Sequence, residues 1–151
     1  MTALAQEPAG IEAILDRALW LAGFGHFALL AASFQVPARL GWREDVAKLR
    51  PFNRKLFWTY GAFTALTIVA FGTLTLILHD ELLRGERAAL GLAAFIGFFW
   101  TARLAVDFLY FSHAEWPQGR RFLVGHGLLV LLFLFLAATY FALLAWHVWL
   151  R

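Results

Sequence analysis

Two histidines stand among glycines inside apolar stretches, His26 in GFGHF and His126 in VGHGL. Imidazole nitrogens ligate haem iron and other transition metals, and glycine neighbours let a flat group approach the backbone. Arg103 and Asp107 are four residues apart, which puts them on one helical face as a candidate ion pair. A charged side chain near the centre of a bilayer costs at least about 2.5–3.5 kcal/mol, so such groups face the inside of a bundle and mark functional sites. Taken together, His26 and His126 are candidate metal ligands, as the axial pair of a haem b. Arg103 is the candidate anion-binding group, with Asp107 as its counter-ion. Trp100, one turn away, is positioned to pack on a ligand ring or on the guanidinium. Tyr60 adds a hydroxyl from another helix. A quinone-type ligand would use the same residues as hydrogen-bond partners. The competing reading is structural: the ion pair satisfies itself, and each histidine bonds a neighbouring helix.

Other chemistries find less to work with. The chain has no cysteine, which excludes disulfides, thiolate metal sites, iron–sulfur clusters and a cysteine nucleophile. There is no HExxH run, and Ser33 and Ser112 lack the Gly-x-Ser-x-Gly turn of a serine hydrolase. His113, with His126 and Asp107, resembles a two-histidine, one-carboxylate set, although an interfacial place for His113 explains it as well. His126 and His147 are 21 positions apart, about 31 Å along a helix, which is the hydrocarbon thickness of a bilayer. A second haem held by His79 and His147 is therefore not expected; both belong at the outer surface, near Asp80 and Glu81.

The elements that must position these residues follow from composition. Hydrophobic residues make up 62% of the 151 positions and charged ones 15%, a balance that points to lipid. Four apolar runs are each long enough to cross a bilayer core. We expect an all-α, polytopic integral membrane protein, one domain folded as an antiparallel four-helix bundle. Its helices lie near residues 14–36, 56–79, 88–112 and 121–150, with a basic loop over 37–55. The segment before Arg17 carries Glu7, Glu12 and Asp16 rather than the positive start of a secretory signal, so the first apolar run is expected to remain as a helix.

Lys and Arg concentrate in the first loop (Arg39, Arg43, Lys48, Arg50, Arg54, Lys55) and the third (Arg120, Arg121), which places those loops in the cytoplasm. Both termini then face outward, in what we take to be a bacterial inner membrane. Trp20, Trp146 and Trp149 fall at the outer interface, and Trp42, Trp58 and Trp116 at the inner one. Residues 43–50 read either as an ordinary topology loop or as a short interfacial helix ended by Pro51. Gly61, Gly72, Gly91, Ala94 and Gly97 would let helices approach closely, within one chain or in a homo-oligomer.

At a rise of about 1.5 Å per residue, His26, Thr64 and Arg103 lie roughly 13–15 Å, and Asp107 and His126 roughly 8 Å, in from the cytoplasmic ends of their helices, with Tyr60 slightly shallower than Thr64. His126, Phe133, Tyr140 and His147 recur every seventh residue along one face of the last helix, and Tyr60, Thr64, Thr67 and Thr75 form a stripe on the second. Threonines bonding their own helix carbonyls account for that stripe more simply than a polar path does. Three readings stay open: a cytoplasmic-leaflet cavity for haem b or a quinone-type ligand, a non-catalytic subunit, scaffold or assembly factor of a larger membrane complex, and a proton-coupled carrier. The bilayer is the expected surrounding, a second copy or a membrane-complex subunit the expected partner, and nucleic acid is not expected. No catalytic group is identified.

Overall fold

The computed structural model describes residues 7–111 and 119–150. Described elements are helical throughout: α1 (Glu7–Ser33), α2 (Val36–Arg39), α3 (Trp42–Ala47), α4 (Pro51–Ile77), α5 (His79–Arg84), α6 (Arg87–Leu109) and α7 (Arg120–Ala145), ending in a π-helical turn, Trp146–Leu150. Four of the helices are long and apolar enough to cross a membrane. Only 22–33% of the most apolar stretch of each is buried within the chain, so most of its side chains need an apolar surrounding from elsewhere.

Local chemistry sets the breaks. Pro51 opens α4, and Arg50 before it is extended (ψ 145°), as a residue preceding proline prefers. The second long helix thus starts five residues ahead of the apolar run, because Phe52, Asn53, Arg54 and Lys55 continue it into the basic segment. The first loop is structured: it holds α2 and α3, a short helix stands at Trp42–Ala47, and its Val46 is buried within the chain. The α5 turn ends on Gly85 (φ +76°), where Gly85 N–H bonds Leu82 O and Glu86 N–H bonds Glu81 O, a left-handed cap that glycine adopts without strain. His147 Nδ1 lies 2.5 Å from where a Cβ on Gly85 would be, so a side chain there would also collide with the end of α7.

Packing joins α1 to α4 and to α7, and α6 to α7. Along α1, contacts run from Asp16 through Gly23 to His26 while their α4–α5 partners run back from His79 through Leu76 to Phe71. Gly23 and Gly72 make this close approach possible. A Cβ on Gly72 would lie 2.8 Å from Phe27, 3.0 Å from the Gly23 carbonyl and 3.1 Å from His26 Cβ. Between α6 and α7 the ladder runs Gly97 with Phe141, Trp100 with Phe133 and Asp107 with His126.

The core is confined to one half of the assembly. It extends from Leu15, Leu82, Ala89 and Leu143 at the His79 end to Leu29, Ile68, Leu104 and Phe133. Beyond that level α1 buries nothing, α4 buries no residue from Pro51 to Thr67, and α7 none from Arg120 to Leu132. There α6 buries one residue, Asp107. Packing in this half is sparser: Asp107 of α6 meets His126 of α7, and Trp42 of α3 meets Phe57 of α4.

Candidate functional site

His26 and His126 hold different partners. On α1, the His26 ring is fully buried; Nδ1–H donates to Ala22 O at 2.7 Å, and Nε2 accepts the indole N–H of Trp100 at 3.0 Å. Indole is a donor only, so these two bonds fix a neutral ring with its proton on Nδ1. Trp100 is held in turn by stacking on Phe133, at 5.1 Å and 15°, and by the edge of Phe99. Phe71 and Tyr140 close the remaining sides of His26, with ring centroids 6.0 and 6.1 Å away. Gly25 opposite Leu132 and Leu136, and Gly72 against His26 Cβ, let α7 and α4 close on this ring.

A second buried bond lies beside it. Tyr140 Oη and Thr75 Oγ1 are 2.5 Å apart, and Thr75 also bonds Phe71 O. The other threonines of the α4 stripe bond their own helix: Thr64 to Tyr60 O and Thr67 to Phe63 O. Tyr60 is 67% exposed, on the stretch of α4 that buries nothing.

Arg103, Asp107 and His126 come together in the half beyond the core. Asp107 of α6 is buried, with Oδ1 accepting from Arg103 at 3.2 Å and Oδ2 3.1 Å from His126 Nε2 of α7. The contact with His126 is close, but its geometry is not that of a hydrogen bond, and among the described residues Oδ2 has no hydrogen-bond donor. Arg103 keeps 40% of its side chain exposed and His126 21%. The guanidinium lies over Phe133, 5.3 Å from the ring centre, so Phe133 takes the cation–π place expected of Trp100. Gly125 and Gly127 face open space, and the glycines beside the two histidines therefore do unlike things.

For haem, axial ligation needs an open imidazole nitrogen on each side of the iron. Nε2 of His26 is taken by Trp100 inside a closed aromatic layer. The bis-histidine arrangement does not fit these residues as they stand. Among the described residues there is no cluster of three or more His, Cys, Asp or Glu able to hold a metal ion. His113, Ser112 and Trp116 lie outside the described residues.

At the opposite end His79 is buried within the chain, beside the exposed Asp80. Its Nε2 is 3.4 Å from Asp16 Oδ1, its Nδ1 3.4 Å from Asp80 Oδ1, and its ring packs 4.7 Å from Trp20. The signal that sequence reasoning missed was Trp100 as hydrogen-bond donor to His26; the seven-residue repeat through His126, Phe133 and Tyr140 had marked the face of α7 that meets it. No family model, curated protein or solved structure matches the chain.

Proposed function

We propose that this chain is an antiparallel four-helix integral membrane protein that binds an amphipathic, quinone-type ligand in the cytoplasmic half of its bundle. The opposed order of contacts along α1 with α4 and along α6 with α7 supports the antiparallel arrangement. The exposed apolar faces of the long helices support insertion in lipid. The observation that carries the ligand reading is the Arg103, Asp107 and His126 group. It is a charged and hydrogen-bonding set on two apolar helices, at the level where α1, α4 and α7 no longer bury side chains within the chain. Such a place suits a molecule with a polar head and an apolar tail: the head meets Arg103, Asp107 and His126, and the tail lies along Phe63, Leu66 and Leu128, which are all exposed.

In this reading His26 and Trp100 form the floor of the site and brace α1 against α6, without touching the ligand. Haem b has weaker support, since it requires His26 to give up Trp100. The experiment is to purify the full chain in mild detergent and extract its organic-soluble molecules. Quinone retained by the wild type and lost in Arg103→Leu with Asp107→Leu is the expected result; equal quinone in both would contradict the site. The paired substitution keeps apolar volume, and replacing a buried ion pair this way is often neutral for stability.

A further inference from the structure

Resting on the ligand reading above, we infer that the site selects the reduced, hydroxyl-bearing form of its ligand, a quinol over the corresponding quinone. The argument starts from the Asp107 carboxylate. The residue is 4% exposed; Oδ1 has its donor in Arg103, whereas Oδ2 is buried without a donor among the described residues. His126 Nε2 comes within 3.1 Å of Oδ2, but that contact lacks hydrogen-bond geometry. A buried acceptor left without a donor has lost its water without a replacement. A ligand group that donates to Oδ2 supplies that replacement on binding.

The two redox forms differ in this respect. A quinone presents carbonyl oxygens, which only accept, so one placed at Oδ2 sets two acceptors against each other. A quinol presents hydroxyls, each with one proton to donate and lone pairs to accept. Its O–H can meet Oδ2 while its oxygen takes an N–H from Arg103, whose fork of five donors exceeds the one bond it gives to Asp107. The arginine and the aspartate already balance in charge, so the site is not a simple receptor for phosphate. No redox step is involved: the preference is one of binding.

The test is anaerobic binding of three probes to the full-length protein in detergent: a short-chain benzoquinol, its benzoquinone, and the dimethyl ether of the quinol. The expected result is quinol binding tighter than quinone by about tenfold, the equivalent of about 1.4 kcal/mol. The dimethyl ether, which has the quinol's ring but no proton to donate, should bind no better than the quinone. Asp107→Asn, which offers an amide N–H in place of a carboxylate oxygen, should erase or reverse the preference. Equal affinity of the wild type for quinol and quinone, or full affinity for the ether, overturns the inference and leaves the ligand reading standing. Binding of none of the three overturns both.

Discussion

At the scale of single residues, the polar groups of this chain divide into those that are spent and those that are not. His26, Trp100, Thr75 and Tyr140 use their hydrogen-bonding capacity on one another or on their own helices. Asp107 does not, and Arg103 keeps part of its surface open. Hydrogen bonds between helices in lipid average about 0.6 and reach about 1.7 kcal/mol. Trp100→Phe and Tyr140→Phe should each lower stability by that amount. His26→Ala should cost about 3 kcal/mol or more, because it strands the indole N–H and opens a cavity among Phe71, Trp100 and Tyr140. Unfolding in detergent micelles, followed by helicity against added SDS, reads all three; unchanged midpoints would contradict a buried clasp. The Arg103 and Asp107 pairing was legible in the sequence because a spacing of four fixes it within one helix. The partner of His26 was not, since it depends on how α1 is rotated against α6.

At the scale of elements, that rotation explains what the sequence leaves open. Each long helix is apolar on nearly every side, so periodicity marks no single buried stripe. Helix existence follows from run length and composition, and the breaks at Pro51 and Gly85 from backbone chemistry. The face each helix turns to its neighbour comes instead from the fit of small against large residues. Gly72 and Gly61 on α4 illustrate the difference. Gly72→Leu would push against Phe27 and the Gly23 backbone and force α4 from α1, with an expected loss of about 2 kcal/mol or more. Gly61→Ala meets open space and should change stability by less than about 1 kcal/mol. The same detergent titration checks both, and a larger loss at Gly61 than at Gly72 would contradict the packing described.

At the scale of the whole molecule, the core lies toward the His79 end, and few side chains are buried toward the end bearing the basic loop. In the orientation proposed from the positive-inside bias, Arg39, Arg43, Lys48, Arg50, Arg54 and Lys55 face the cytoplasm and the α5 turn faces outward. Since the chain has no cysteine, single cysteines report topology directly. In intact cells an impermeant thiol reagent should label Glu86→Cys and leave Glu44→Cys unlabelled until the cells are opened; the reverse pattern would invert the orientation.

The ligand site is the central claim, and its most direct measurement is organic extraction of the mildly purified protein, with a reduced-minus-oxidised absorption spectrum on the same sample. The account predicts quinone or quinol at about one per chain in the wild type, as one ligand head to one carboxylate. It predicts near absence from the Arg103→Leu, Asp107→Leu variant and no b-type haem band in either. Quinone no higher in the wild type than in the variant would contradict the site. A haem band lost in both His26→Ala and His126→Ala would contradict it too, and would make His26 a ligand rather than a brace.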